Sequence, residues 1–301
     1  MTRRLRVGIT VGDPAGIGPE IARKAQSDPR VADACETVLY GPSSASDLSA
    51  FERGRVSAGA GRAAYQAIVQ AVADAKAGRI DAIATAPINK EAFAAAGLRW
   101  PGHTELLAEL TGATRVRMMF YAEQLRVVLA TVHIPLAAVP ATLTLDRMRE
   151  TIEVAAAELP RFGLDAPRLA VAGVNPHAGE RGLIGTEEIA VLAPAVASCR
   201  ERGIDVRGPF PADTIFGRAI RGEFDAVIAS YHDQGLIPVK LLAFGSAVNV
   251  TLGLPIIRTS VDHGTAFDIA GRGVADASSL VAAVQLAARL ADSQIGHEDR
   301  T

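Results

Sequence analysis

Four of the six histidines in this 301-residue chain stand just past the end of an apolar, strand-like run. Leu125–Val132 leads into His133, and Leu169–Val174 leads into Asn175, Pro176 and His177. Asp225–Ser230 leads into Tyr231, His232 and Asp233, and Ile256–Val261 into Asp262 and His263. A further run, Ile80–Thr85, meets Ala86, Pro87, Ile88, Asn89 and Lys90. A parallel α/β sheet binds its ligands outside the carboxyl ends of its strands, so reactive side chains belong there. One histidine at such a place is more often structural; four together point to convergence on a site.

His133, His177 and His232 are candidate metal ligands. Imidazole suits Zn²⁺ and similar cations, and three protein ligands with one open position is the usual catalytic arrangement. Their long separations mean that only the fold can bring them together. A cation held this way would polarise a substrate hydroxyl and ready the carbinol carbon for hydride loss. Asp233 and Asp262 stand close in sequence to histidines and could orient imidazoles from behind. The opening run Gly12-Asp13-Pro14-Ala15-Gly16-Ile17-Gly18-Pro19-Glu20 offers a second chemistry. It follows a strand and opens a helix; its glycines permit a tight turn, Pro19 suits a first helical turn, and its N–H groups could hold an anion. The run is not GxGxxG, and no Rossmann fingerprint occurs elsewhere.

The elements that must position these groups are set by periodicity. Strand-like runs at Arg6–Val11, Thr37–Tyr40, Ile80–Thr85, Val116–Phe120, Leu125–Val132, Arg168–Ala172, Ala226–Ser230 and Val248–Thr251 alternate with helical patterns. The helical patterns are Ala60–Ala77, Lys90–Ala96, Leu145–Leu159, Glu187–Arg202, closed by Gly203, and Ser278–Leu290. The alternation predicts a mostly parallel sheet covered by helices on both faces. The Ser/Gly/Ala-rich stretch Gly41–Gly61 reads as a loop. A chain of this length makes one large domain or two lobes and buries roughly three quarters of its unfolded surface. The formal charge is −2, with 21% charged residues and no basic stripe, so nucleic acid is not an expected partner. Cys35 and Cys199 lie far apart and read as free thiols of a reducing compartment. The basic start is followed by an apolar run that Gly12, Asp13 and Pro14 break, so no signal peptide is expected there. No stretch reaches a membrane-spanning length. A soluble, cytoplasmic protein is expected.

His263-Gly264-Thr265-Ala266-Phe267-Asp268-Ile269-Ala270-Gly271-Arg272-Gly273 is the most specific stretch. It resembles the adenine-binding loop of the β-decarboxylating dehydrogenases, the isocitrate and isopropylmalate dehydrogenase group. A carboxylate at the place of Asp268 accepts from both hydroxyls of a ribose diol and repels a 2′-phosphate, which favours NAD over NADP. A closer resemblance covers nearly the whole chain. GDPAGIGPE (12–20), TAPINKE (85–91), GHTE (102–105), NPHAGE (175–180), PADT (211–214), YHDQG (231–235) and NVTLGLPIIRTSVDHGTAFDIAGRG (249–273) are similar to the 4-hydroxythreonine-4-phosphate dehydrogenase family. That family includes a D-threonate/D-erythronate 4-phosphate dehydrogenase branch.

The resemblance implies a two-lobed α/β/α fold of the isocitrate/isopropylmalate-dehydrogenase type, not a Rossmann fold. The lobes would be roughly 1–130 plus 255–301 and 131–254. It implies metal ligation by His133, His177 and His232, with His232 from the partner in a homodimer whose sites span the interface. Substrate contacts fall on His103, Thr104, Lys240, Asn249 and Arg258. Cofactor contacts fall on His263, Gly264, Thr265, Asp268 and Gly271. Lys240 and Asp213 are the catalytic candidates, Lys240 for proton transfer or for phosphate. Outside the resemblance, Lys240 reads as a solvated charge and Asn249 as a strand-edge polar residue. The implied reaction is NAD-dependent oxidation, assisted by zinc or by Mg, Co or Mn, of a phosphorylated hydroxy acid to a β-keto acid that loses CO₂. The substrate is 4-hydroxythreonine 4-phosphate, which serves pyridoxine biosynthesis, or D-threonate or D-erythronate 4-phosphate. The alternatives are a cis-dihydrodiol dehydrogenase of aromatic-acid degradation, whose members tend to lack the Pro87–Lys90 run, and a non-catalytic metal- and nucleotide-binding protein. The segment between Tyr40 and Ala60 departs from the family by being a few dozen residues short.

Overall fold

The computed structural model describes residues 3–298. Its strands are β1 (Arg6–Thr10), β2 (Glu36–Tyr40), β3 (Ala82–Thr85), β4 (Arg117–Ala122), β5 (Leu125–Leu129), β6 (Leu169–Ala172), β7 (Val206–Phe210), β8 (Ala226–Ala229), β9 (Val248–Leu252) and β10 (Ile257–Ser260). The chain divides into two compact units. One comprises the described residues up to Thr114 together with those from Leu254 onward, and the other runs from Arg115 to Gly253. The class is mixed α/β.

In the first unit the strand order is β2-β1-β3-β10, all parallel. Thr10 pairs with Thr85, and Thr85 with Ser260, so three strand ends stand level. The inner strands β1 and β3 are buried on both faces, which is why they read as apolar runs without alternation, whereas the edge strand β2 is largely part-exposed. The helix Gly18–Gln26 buries Ile21, Ala22 and Ala25, and the helix Ser278–Glu298 buries Leu280, Val284 and Ala287. The helix Ala58–Lys76 lies close against Lys90–Ala95: a Cβ on Gly61 would stand 2.1 Å from the Ala92 carbonyl oxygen.

In the second unit the order is β9-β4-β5-β8-β6-β7. β4 runs antiparallel to both β9 and β5, while β5, β8, β6 and β7 are parallel. Leu125, Val127 and Leu129 of β5 form a core with Ile215 and Phe216 of the helix Ala212–Ile220 and with Leu236 and Val239 of the helix His232–Ala243. Gly235 lets that last helix approach, since a Cβ there would lie 2.7 Å from both Leu129 Cδ2 and Val127 Cγ1.

Periodicity misses some elements for physical reasons. The stretch expected to be a loop, Gly41–Gly61, contains a short helix, Ala45–Leu48, closed by a reciprocal Ser44–Asp47 capping box. It also contains the start of Ala58–Lys76, capped by Ser57. The pattern at Glu187–Arg202 splits into a π turn, Glu188–Leu192, and a helix, Ala193–Glu201. Pro194 cannot donate to a preceding carbonyl, so the ladder changes phase there. Gly203 ends that helix as expected, with φ +84° and its N–H on the Arg200 carbonyl at 2.9 Å. The helix His232–Ala243 was hidden by Gly235 and Pro238, and β7 by Gly208 and Pro209.

Gly12 closes the turn after β1 at φ +69°, and a Cβ would stand 2.2 Å from the Pro87 carbonyl oxygen. Gly12→Ala is expected to cost about 2 kcal/mol or more, from left-handed strain and backbone overlap together. Urea unfolding checks this through a lower midpoint at unchanged slope.

Candidate active site

The three candidate ligands of the second unit owe their places to the level pairing of β5, β8 and β6. Leu129 pairs with Ala229, and Ile228 with Val171. His133 follows β5, His232 follows β8 and His177 follows β6, so all three rise from one rim. Gln234 fastens this rim: its Oε1 accepts from Ser230 N at 2.7 Å and its Nε2 donates to the Gly173 carbonyl at 2.7 Å. Thr131 Oγ1 donates to the Ser230 carbonyl at 2.7 Å, joining the ends of β5 and β8.

Two pockets open on the rim and share Tyr231. One is lined by His133, His232, Asp233, Leu136 and Val139, and the other by Asn175, His177, Asp213 and Gln234. The His133 and His232 rings are 5.4 Å apart between centroids. Among the described residues of one chain, no three His, Cys, Asp or Glu side chains are gathered closely enough to hold a metal. The donors nevertheless suit a cation. His232 Nδ1 lies 2.7 Å from Asp233 Oδ1, and His177 Nδ1 lies 2.8 Å from Glu180 Oε1. A carboxylate on Nδ1 fixes the tautomer and leaves Nε2 as the donor atom, as in metal-bound histidines. Asp262 accepts from Ser279 Oγ at 3.4 Å. Lys240 lines neither pocket; its Nζ stands 5.8 Å from the Phe244 ring centroid.

The first unit buries a cation. Arg258 on β10 is 2% exposed, and its Nη2 donates to Thr85 Oγ1 at 2.8 Å. A guanidinium cannot accept, so the Thr85 proton passes on to Ser260 Oγ at 2.8 Å, whose own proton meets the Thr85 carbonyl at 3.1 Å. Burial draws Arg258 down to about 9, with Glu105 opposing, which leaves it charged at neutral pH. His103 opens the helix His103–Thr111 after Gly102, with Thr104 beside it. Burial, and then the Arg258 charge, hold its imidazole well below the ordinary histidine range. Among the described residues, His103 Nε2 is a buried polar atom with no hydrogen-bond partner, as, in the second unit, is Asn249 Oδ1 on β9.

The loop from His263 to Gly273 is tied to the opening turn. The Thr265 carbonyl accepts from Ile17 N at 3.0 Å, and a Cβ on Gly16 would stand 2.8 Å from that same oxygen. Glu20 accepts from Gly273 N at 3.2 Å and Ala275 N at 2.9 Å, while Lys24 Nζ donates to both carbonyls, at 2.9 and 2.7 Å. Arg53 Nη1 donates to the Gly271 carbonyl at 2.8 Å. A pocket lined by Pro14, Gly16, Glu20, Arg53 and Gly271 lies here, with Asp268 exposed on the loop. His263 Nδ1 stands 3.0 Å from the Gly264 carbonyl. Asp13 is buried; burial pushes its carboxyl up, opposed by Ala15 N, which donates at 2.8 Å.

Sequence reasoning did not single out Glu180, Gln234, Thr85, Ser260 or Arg53. The first four lie inside the quoted motifs, where only a pairing partner could give them a role.

The family model for the pyridoxal phosphate biosynthetic protein PdxA matches residues 17–287. The chain belongs to the PdxA family. It is 46% identical, over 95% of both chains, to a 4-hydroxythreonine-4-phosphate dehydrogenase of Geobacter metallireducens. It is 44% identical to a D-threonate 4-phosphate dehydrogenase of Pectobacterium atrosepticum, over 95% of this chain and 99% of that one. These PdxA relatives are dehydrogenases by name. The Geobacter alignment spans 328 positions, more than the 301 residues here, so that relative carries residues this chain lacks. The crystal structure of a 4-hydroxythreonine-4-phosphate dehydrogenase from Klebsiella pneumoniae superposes with a TM-score of 0.87 at 43% identity, covering 96% of this chain and 98% of that one. A terephthalate 1,2-cis-dihydrodiol dehydrogenase from Burkholderia xenovorans gives 0.68 at 32%, covering 95% and 98%. A β-decarboxylating dehydrogenase from Thermococcus kodakarensis, at 15% identity and TM-score 0.54, covers 98% of this chain and 96% of that one and shares the fold. The expected isocitrate-dehydrogenase-like class, as opposed to a Rossmann fold, is borne out.

A depressed histidine makes stability pH-dependent with a definite sign. The unfolded chain protonates His103 near pH 6.5 while the folded chain resists, so the unfolded state binds more protons and stability falls as pH drops below about 6.5. His103→Gln is expected to flatten that fall when urea midpoints at pH 7.5 and 5.5 are compared. The His103 Cε1–H resonance should hold its neutral position across this range; a midpoint near 6.5 would contradict the assignment.

Proposed function

We propose that the chain is an NAD-dependent, divalent-metal-dependent dehydrogenase that oxidises a phosphorylated hydroxy acid and releases CO₂. The observation that carries this reading is the buried Arg258 guanidinium with a neutral His103 beside it, in a member of a family whose relatives are named for phosphorylated hydroxy acids. A buried cation rewards an anionic group, and Arg presents a fork suited to phosphate or carboxylate. Neutral His103, with Thr104, adds hydrogen bonds without adding charge. Asn249 and Lys240 complete the proposed substrate contacts. Lys240 stays open between a proton-transfer and a phosphate role, and Asp213, which lines the same pocket as His177, is the second catalytic candidate.

His133, His177 and His232 would hold the cation, His232 being supplied by a second copy of the chain. When bound, the cation supplies Lewis acidity for ionising the substrate hydroxyl and NAD supplies the hydride acceptor. Glu180 and Asp233 keep the Nε2 atoms of their histidines available. Asp268 would accept from the ribose hydroxyls, with His263, Gly264, Thr265 and Gly271 forming the loop around the nucleotide. Oxidation at the carbon β to the carboxylate gives a β-keto acid; the C–C bond to the carboxylate then breaks, its electron pair moving toward the ketone oxygen as CO₂ leaves.

The homodimer is supported by apolar surface next to the ligands. Ile237, Leu241 and Phe244, on and just after the helix that begins at His232, are 61%, 83% and 85% exposed. Leu136 and Leu183, near His133 and His177, are 67% and 87% exposed. Patches of this kind mark interaction surfaces. Among the described residues no helix is long and apolar enough to cross a membrane, and Cys35 and Cys199 are both free and buried, in keeping with a proposed cytoplasmic setting.

The test is NADH formation with 4-hydroxythreonine 4-phosphate and with D-threonate and D-erythronate 4-phosphates, each supplied with Zn²⁺, Mg²⁺, Co²⁺ or Mn²⁺. Turnover with one substrate class is expected, along with loss on exhaustive chelation and recovery on adding metal. No turnover with any of them, or full activity after chelation, would sink the reading. His177→Ala should lower both bound metal and kcat/KM, the latter by about 100-fold. NAD should be strongly preferred over NADP, and Asp268→Ala should narrow that preference by weakening NAD. Equal use of NADP by the unmodified enzyme would contradict the role given to Asp268.

A further inference from the structure

We infer that Glu188 is a positioning residue that holds the His177 turn in its left-handed conformation and so sets where the imidazole stands. The inference rests on the reading of His177 as a ligand to a cation. From His177 to Arg181 five successive residues are left-handed, with φ of 52°, 54°, 80°, 44° and 57°. Four of the five carry a Cβ, and each is disfavoured there by contact with its own backbone. Such a run persists only where its surroundings over-determine it.

Glu188 supplies that constraint. Its side chain is almost fully buried, and its charge is met by N–H donors from the start of the turn. Val174 N and Asn175 N donate to Oε1 at 2.8 and 2.7 Å, and Asn175 Nδ2 donates to Oε2 at 2.9 Å. The carboxylate also fills the space inside the turn: a Cβ on Gly179 would stand 2.7 Å from Oε2, and one on Gly173 would stand 3.3 Å from Oε1. Glu188 opens the π turn that precedes the Pro194 helix, so the change of helical phase delivers this carboxylate to the loop. Glu187 locks the arrangement from the other side, its Oε2 accepting from Asn175 Nδ2 at 2.7 Å. The Asn175 amide therefore faces two carboxylates and cannot turn over.

Glu188→Gln separates this role from simple packing, because the side chain keeps its shape. One oxygen remains for the two backbone N–H groups, but the new NH₂ meets the NH₂ of Asn175. Metal-free enzyme is titrated with Co²⁺ and followed by its visible absorption, alongside melting temperature and amide exchange over residues 174–186. The expected result is at least tenfold weaker Co²⁺ binding with an altered spectrum, faster exchange confined to 174–186, and a melting temperature within a few degrees of the unmodified protein. Unmodified affinity and spectrum in Glu188→Gln would overturn the inference. Should that variant fail to fold, Glu187→Gln loosens the same Asn175 amide and must weaken Co²⁺ binding in the same direction; an unchanged affinity there would likewise overturn it. If the unmodified enzyme takes up no Co²⁺, the metal reading falls by itself. Exchange in the metal-free proteins then decides: faster exchange at 174–186 in Glu188→Gln upholds the clamp, and equal exchange overturns it.

Discussion

Level parallel pairing of β5, β8 and β6 is the constraint on which the second unit's chemistry depends. Leu129 stands opposite Ala229, and Ile228 opposite Val171, so three chain segments leave the sheet at one height. A slip of one residue in any pair would displace that strand's end by one step of about 3.3 Å and carry its histidine off the common rim. Gln234 and Thr131 reinforce the alignment by bonding across the strand ends. The same logic governs the first unit, where Thr10, Thr85 and Ser260 share a level and the turn after β1 meets the turn after β3 through Asp13 N and the Pro87 carbonyl, 3.0 Å apart.

Buried polarity is the other recurring theme. Arg258, Thr85 and Ser260 form a one-way run of hydrogen bonds, from Nη2 to Thr85 Oγ1, on to Ser260 Oγ and back to the Thr85 carbonyl. Such a run is polarised along its length and favours a single rotamer for each member. A guanidinium held this way is oriented before any ligand arrives, which reduces the ordering cost of binding. His103 works differently, because burial beside a cation keeps it neutral and leaves Nε2 uncommitted within the described structure.

How much of this was legible in the sequence depended on whether a residue acts through its place or through its partner. The class, the parallel strands and the strand-end histidines could be read from apolar runs and the residues just past their ends. Glu180 could not, because it touches His177 only through a left-handed turn that no propensity favours. Arg53 lay in a stretch read as loop, and its bond to Gly271 spans 218 residues of chain. The helix His232–Ala243 contains Gly235 and Pro238, both poor helix formers, yet close packing on β5 outweighs them. Asp233 was legible because it adjoins His232 directly. Asp262, proposed on the same ground of nearness to a histidine, accepts from Ser279, a partner 17 residues on that nearness in sequence does not indicate.

The tie between the opening turn and the loop from His263 to Gly273 has a consequence for synthesis. Glu20 and Lys24 leave the ribosome some 250 residues before Gly273 and Ala275, which they bind. β1 and β3 likewise wait for β10 to supply the next strand of their sheet. The segment from Arg115 to Gly253 is continuous in sequence and can close its own core while the rest of the chain is still emerging. Over that interval β2, β1 and β3 can pair with one another, but the outer side of β3 has no β10 to pair with. The proposed nucleotide loop is therefore assembled only after the whole segment from Arg115 to Gly253 has emerged, and a chain released before His263 would lack it altogether.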